Sequence, residues 1–383
     1  VAPLQGYPRL PIRSHLRAAR RLDGVLRRRG VRSPGDLTAP ELLAFAPEDS
    51  QKDIALAAVV RSLTQYFEER HALAPACSTP GEDLLASYRL YLERVRGIAA
   101  STVSHHAATA RELLVHLGYD RDLHCLRTLV QRSIEDFVAI RGARVGRESL
   151  QHEVAHLRSF LRFLAARGLA LAGLDERIDT PRVYRGERLP RALPWETVRA
   201  FVQSIDRSTP MGRRDYAMFL LVVTYGLRSC EVVSLTLDDV EWRAGRLRVP
   251  RPKVRSALVL PLTPEVGGAL LAYLRDGRPH LPFREVFLRT RAPLGALKPT
   301  ALTEAFQGWV RRSGLHIPYQ GPHCLRHSLA VHLLRQGMPL KAIGDLLGHC
   351  SAESTCVYLR LHVEDLRDVA LDLPDQARAE VHP

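Results

Sequence analysis

The apolar positions of this chain recur mostly three and four residues apart, the period of helices rather than strands. Ile12, Leu16, Ala19, Leu22 and Leu26 form the first such series, and Gly30 follows as a helix stop. A second helix is expected from Gln51 to His71. Pro, Ser, Thr and Gly between Ala74 and Gly81 then break the pattern. Four helical segments follow near 82–96, 101–117, 131–142 and 147–167, punctuated by Gly97, Gly118 and Gly168. The last of them carries Val154, Leu157, Phe160, Leu161 and Leu164 as an apolar stripe, with Arg147, Arg158, Arg162 and Arg167 among or around it. This predicts a compact helical bundle with a basic side.

Residues 179–194 are rich in Pro and Arg and lose the period altogether, as expected of a linker. A second helical region begins at Trp195. Its pattern changes once, between Val240 and Leu262. There Leu247 and Val249, then Leu258, Val259 and Leu260, form short runs around the basic stretch Arg251 to Ser256. That predicts a small antiparallel sheet with a basic turn. Helices resume from about Pro264. The expected fold is mainly α with a small antiparallel β-sheet. Its expected domains are a helical extension (1–75), a helical bundle (80–175), a basic linker (176–194) and a second domain (195–383).

Composition adds an anionic partner to this picture. Lys and Arg number 55 against 41 Asp and Glu, a net charge of +14. With 46% hydrophobic residues the chain has material for true cores, so a disordered polyelectrolyte is excluded. Nucleic acid is the commonest partner of such a folded basic protein. The alternative is a membrane surface, but no apolar run reaches about 18 residues, and the N-terminal stretch has no secretory h-region. The six cysteines are scattered without a C-x-x-C pair, as in reduced cytosolic proteins. The expected location is the cytoplasm by default, with the Arg-rich, acid-poor N-terminal stretch also compatible with a mitochondrial presequence. Arg9, Arg13, Arg17, Arg20, Arg21, Arg27, Arg28 and Arg29 crowd the first helix, either as a solvated face or as a phosphate-contacting arm.

Three islands carry candidate chemistry. In the first, Arg228 and Glu231 lie one helical turn apart, which brings the two side chains together. In the second, after Gly321 and Pro322, His323 and Arg326 share one face near a helix start, where an anion is favoured. His327 falls one residue off that face and could turn to the core. In the third, Gly348 ends a helix over 339–347 and presents His349 in a turn, with Tyr358 nine residues on. Each island alone is compatible with an ordinary ion pair, packing histidine or core tyrosine.

Together, the order R-x-x-E, a Lys in a β-turn (Lys253), H-x-x-R-H, L-L-G-H and a following Tyr resembles the catalytic domain of the tyrosine recombinases, the phage-integrase family. The resemblance covers about residues 190–372 and fills every active-site position of the family pattern. It implies that Arg228 and Arg326 bind the scissile phosphate. By the same resemblance Lys253 is the lysine of the β-turn, His323 the first histidine, His349 the histidine-or-tryptophan position and Tyr358 the nucleophile, with Glu231 as a supporting acid. It also makes the bundle a core-binding domain. Arg147, Arg158, Arg162, Arg182, Arg185 and Arg188 are then expected to contact double-stranded DNA. A homotetramer on two duplexes is implied, with partner recombinases as an option, and the amphipathic segment 363–370 packs either on its own domain or on a neighbouring protomer.

The residues suit this chemistry on elementary grounds. Two guanidiniums neutralise the non-bridging oxygens of a phosphodiester, most strongly in a pentacoordinate transition state. A tyrosine hydroxyl titrates near 10 and needs a positive field or a proton acceptor, for which His323 is suited. Lys253 can protonate the departing 5′-oxygen. The product is a 3′-phosphotyrosine link that a second 5′-hydroxyl can attack, so neither ATP, metal nor other cofactor is required. A zinc site from His323, Cys324, His327, His349, Cys350 and Cys356 is disfavoured by their spacing. Rival readings are a type IB topoisomerase, a telomere resolvase and a non-catalytic DNA-binding accessory protein.

Overall fold

Threonine–proline pairs open three of the helices. The threonine hydroxyl accepts a backbone N–H from the first turn, and the proline that follows needs no donor there. Thr79 caps Glu82 N (3.3 Å), Thr209 caps Gly212 N (3.0 Å) and Thr263 caps Val266 N (3.4 Å). The computed structural model describes residues 9–47, 53–74, 78–184, 190–251, 256–290, 294–348, 351 and 353–361. The chain forms two compact units, Arg13–Glu187 and a second that comprises Val1–Ile12 and Arg188–Pro383.

The first unit holds two cores. Helices α1 (Arg9–Arg28), α2 (Ala39–Leu43) and α3 (Ile54–Glu68) surround Ala18, Leu22, Leu37, Leu42, Val59 and Val60. The expected face of α1 packs on this core through Ala19, Leu22 and Leu26, joined by Ala18, but Leu16 is 55% exposed. Leu16 lies six residues from Leu22, about a third of a turn around the helix. The other core belongs to a bundle of α4 (Pro80–Arg94), α5 (Ala100–Leu117), α6 (Gln131–Gly142) and α7 (Arg147–Ala166). All five residues of the predicted α7 stripe are buried in it, around Tyr88 and Phe163. Ile178 is also packed there, so the bundle reaches into the segment whose composition suggested a linker.

The second unit begins with α8 (Trp195–Gln203), α9 (Pro210–Tyr225) and α10 (Ser229–Ser234). Helix α9 holds the most apolar stretch of the chain and is buried from Ala217 to Val223, with side chains inward on nearly every face. Strands β1 (Val240–Glu241), β2 (Arg246–Arg251) and β3 (Ser256–Pro261) form an antiparallel sheet in that order. Its inward residues Leu247, Val249 and Leu260 join the core. Then come α11 (Pro264–Asp276), α12 (Thr300–Ser313), α13 (His323–Arg335), α14 (Leu340–Leu347) and α15 (Glu353–Cys356), with a 3₁₀ turn over Val357–Leu361. Phe201, Phe219 and Phe306 meet at ring distances of 5.1–6.2 Å and tie α8, α9 and α12 together. The entry to this unit is fixed on α13. Leu193 N donates to the buried Ser328 hydroxyl (2.7 Å), and the Trp195 and His332 rings stack at 4.1 Å. Among the described residues no helix is long and apolar enough to cross a membrane.

Candidate active site

The end of α9 fixes the position of Arg228. Gly226 closes that helix with φ +66°, and a Cβ there would fall 2.4 Å from Leu347 Cδ2, so only glycine lets α14 approach. Arg228 then caps α10. Its backbone N–H donates to Glu231 Oε2 (2.8 Å) and its Nη1 to Glu231 Oε1 (2.9 Å), while Nη2 donates to Gly348 O (3.2 Å). Glu231 is buried, 4% exposed, so this ion pair anchors the guanidinium from within, unlike an ordinary surface pair.

Arg326 comes from the first turn of α13 and is 2% exposed. Its Nη1 donates to Gly226 O and its Nη2 to Leu347 O (2.5 Å). Burial, followed by the charge of Arg228, pulls its pKa down to about 10, and it remains a cation at neutral pH. Both predicted phosphate-binding arginines therefore meet at the C-terminal end of α14, whose last carbonyls lack helical partners and carry the negative end of the dipole.

A third guanidinium completes the cluster. Arg251, at the end of β2, is 8% exposed and donates to Asp345 O (3.4 Å) and Leu346 O (2.8 Å). Its Nε lies 3.6 Å from Glu231 Oε1. Burial first, then the nearby Arg228 charge, lowers its pKa, with Glu231 opposing. In sequence Arg251 is one of several basic residues around Lys253 in the hairpin. A signal was present: strand alternation puts Arg251 on the inward side with Leu247 and Val249. Gly348 ends α14 with φ +63°, and a Cβ there would meet Arg251 Nη1 at 2.3 Å. The L-L-G-H glycine thus suits the left-handed backbone, and any side chain there would displace the Arg251 guanidinium beneath it.

Tyr358 lies in the 3₁₀ turn, 1% exposed, against Ala330, Val331, Ile343 and Leu347. Burial raises its pKa, whereas Arg326 and then Arg228 lower it, so the field of both arginines reaches the hydroxyl. Its Oη is 3.0 Å from His327 Nδ1. The place of His327 one residue off the His323–Arg326 face is compatible with a core-facing ring. The structure instead leaves it half-buried with its ring on the tyrosine. The i, i+4 spacing from His323 was the missed signal, and the two rings meet edge to face at 4.5 Å. His323 itself stands at the start of α13 with a solvent-accessible edge. The protein packed around it, then Arg326, Arg228 and Arg191, hold its pKa below the usual imidazole value. Cys324, next to it, points into the hydrophobic core, where burial pushes the thiol up to about 12, unsuited to a metal-binding thiolate. Lys253 and His349 lie outside the described residues, as do Arg185, Arg188, Cys350 and the segment 363–370.

The basic residues of the bundle divide. Arg147 and Arg182 are exposed, and Arg162 is exposed with an ion pair to Asp175 at 3.5 Å. Arg158 is half-buried and donates to the carbonyls of Asp175 (3.1 Å) and Ile178 (2.5 Å). It thereby holds the last turn of the bundle in place, a structural task rather than the DNA contact its basic side chain suggests.

Comparison with known proteins agrees with this geometry. The model of the phage integrase family matches residues 191–365, and that of the phage integrase N-terminal SAM-like domain matches 85–168. A Sinorhizobium fredii protein named as an integrase/recombinase, y4rA, is 33% identical over 327 residues, 84% of this chain and 79% of its own. Tyrosine recombinase XerD of Listeria monocytogenes is 30% identical over 291 residues, 75% of this chain and 97% of its own. Among solved structures, the XerH site-specific recombinase bound to a palindromic difH substrate has a TM-score of 0.58 at 15% identity, covering 86% of this chain and 92% of that one. A lambda integrase tetramer bound to a Holliday junction has a TM-score of 0.55 at 18% identity, covering 79% and 86%. Those two likenesses concern the fold. The sequence relationship shows that the chain belongs to the phage integrase family of tyrosine recombinases, enzymes that cut and rejoin DNA strands in site-specific recombination.

Proposed function

We propose that Tyr358 is the nucleophile of this recombinase and that Arg228 and Arg326 bind the scissile phosphate. The observation that carries the reading is geometric: the guanidiniums of α10 and α13 converge on the last carbonyls of α14, and their charge opposes the burial that raises the pKa of Tyr358. In this reading Tyr358 Oη attacks phosphorus, the arginines stabilise the charge gathering on the non-bridging oxygens, and Lys253 protonates the 5′-oxygen as it leaves. His323 and His349 hydrogen-bond the phosphate. Glu231 holds Arg228 in place. The 3′-phosphotyrosine conserves the bond energy until another 5′-hydroxyl attacks it.

The same reading makes double-stranded DNA the partner, held by the exposed basic residues Arg147, Arg162 and Arg182 of the bundle and its exit. Arg185 and Arg188 belong with them by sequence. Strand exchange between two duplexes needs four active sites, so the working form is a homotetramer. The protein acts beside DNA in the cytoplasm.

A nicked suicide substrate carrying the recombination site provides the test. The wild type accumulates a covalent protein–DNA adduct, and Tyr358→Phe forms none. Arg228→Ala and Arg326→Ala retain much of the DNA affinity and lose cleavage. Adduct in Tyr358→Phe, or undiminished cleavage by either arginine variant, overturns the assignment.

A further inference from the structure

His327 Nδ1 lies 3.0 Å from Tyr358 Oη, with the two ring centres 5.6 Å apart. Tyr358 is 1% exposed, so its hydroxyl is withdrawn from bulk water and a proton leaving it needs a protein acceptor. His327 is carried by α13, one turn beyond His323 and next to Arg326, so a single rigid element presents the phosphate-binding arginine and the imidazole together.

We propose that His327 is a catalytic residue of strand cleavage, its neutral Nδ1 accepting the proton of Tyr358 as the tyrosine oxygen bonds to phosphorus. This rests on the reading of Tyr358 as nucleophile. One bond forms, Tyr358 Oη to phosphorus, and one breaks, phosphorus to the 5′-oxygen. The tyrosine proton passes to His327, and the 5′-oxygen takes a separate proton from Lys253. In rejoining, the imidazolium returns its proton to Tyr358 as the tyrosine departs, so no proton is consumed over the cycle. His323 is then left for the phosphate, and the task that its sequence position suggested moves one helical turn along.

The charges around the pair suit the transfer. Arg326 and Arg228 face Tyr358 and stabilise the tyrosinate as it forms. Arg326, Arg228 and Arg191 act on the adjoining His323 ring and, after burial, help hold its pKa low, while His327 meets that ring edge-on.

The experiment follows single-turnover adduct formation by the full chain on the suicide substrate across pH. Wild type, His327→Asn and His327→Gln are compared on an ordinary phosphodiester and on a 5′-bridging phosphorothiolate, whose sulfur leaves without a proton. Asparagine offers an amide near the Nδ1 position but does not titrate. The variant whose thermal midpoint and DNA affinity match the wild type is the one read. The expected result is a loss of adduct rate of roughly 100-fold or more on both substrates, with the neutral-range limb of the pH profile abolished. A rate within twofold of the wild type with its pH profile intact overturns the proposal. So does full rescue by the phosphorothiolate, which would assign His327 to the leaving oxygen. Adduct formation by Tyr358→Phe would remove the nucleophile itself. Absence of adduct in that variant with an unaltered His327→Asn rejects the proton acceptor alone.

Discussion

Arg251 and Arg228 share one carboxylate oxygen: Glu231 Oε1 is 3.6 Å from Arg251 Nε and 2.9 Å from Arg228 Nη1. Glu231 thus does more than brace its own helix. It is the negative charge that lets two guanidiniums, one from a strand and one from a helix cap, occupy the same region.

Glu231→Gln keeps the shape and removes that charge. Arg251, buried and already short of one hydrogen bond at Nε, is left near Arg228 without a counter-charge. We expect a loss of about 2–3 kcal/mol in stability, discounted because Arg228 is partly solvated. Adduct formation should fall at least about tenfold with DNA affinity within a few-fold, since Arg228, proposed above to bind the phosphate, loses its orientation. Thermal melting and single-turnover cleavage check both parts. An unchanged melting point would show the pair to be dispensable.

Gly226→Ala tests the contact between α9 and α14. The new methyl meets Leu347 and the backbone sits at φ +66°. A destabilisation of about 2–3 kcal/mol is expected from overpacking and left-handed strain combined. Cleavage should fall further than stability alone explains, because Gly226 O and Leu347 O are both acceptors of Arg326. The measurement is adduct rate at a temperature where the variant is still fully folded.

The bundle should lose stability in mild acid. His156, beside His105 and His106 and bonded to the Thr109 hydroxyl, has its pKa lowered from 6.5 to about 4, by burial first and then by His106, His105 and His152, with Glu153 opposing. Its folded form binds a proton less readily than the unfolded chain, so protonation favours unfolding. Its contribution is intact above about pH 6.5, declines as pH falls to about 4, and is on the order of 2–3 kcal/mol in all. His106 is shifted in the same direction by burial. Denaturant melts of the full chain between pH 7.5 and 4.5 should show this slope, reduced in His156→Gln. Equal slopes in the two proteins would refute it.

Arg158 and Arg162 should separate by phenotype. Arg158→Ala removes two charged hydrogen bonds to the carbonyls of Asp175 and Ile178, with an expected cost of about 2 kcal/mol in stability. Arg162→Ala and Arg182→Ala should leave stability unchanged and flatten the salt dependence of DNA binding by about one unit of log–log slope each. Binding isotherms at several salt concentrations, beside thermal melts, decide the assignment.

Much of this protein is determined by local sequence alone. The helical period, the Thr-Pro caps and the glycine stops place the helices. The α7 stripe identifies the bundle core, and strand alternation with a basic turn gives the hairpin. These features depend on neighbours within about one helical turn, which a sequence displays directly. Arg228, Glu231, His323, Arg326 and Tyr358 were singled out by their order and spacing, and the fold brings Arg228, Glu231 and Arg326 together beside α14.

What remained hidden depends on contacts across long stretches of chain. Arg251 reaches the carbonyls of Asp345 and Leu346, more than 90 residues away, and His327 finds Tyr358 across 31 residues. Arg158 was a basic residue on a bundle helix until the fold brought Asp175 and Ile178 to its guanidinium. Leu16 fitted the helical period and yet faces solvent. In each case the residue type admitted several roles, and only the packing of distant segments, which sets who lies within hydrogen-bonding reach and what is cut off from water, selected one.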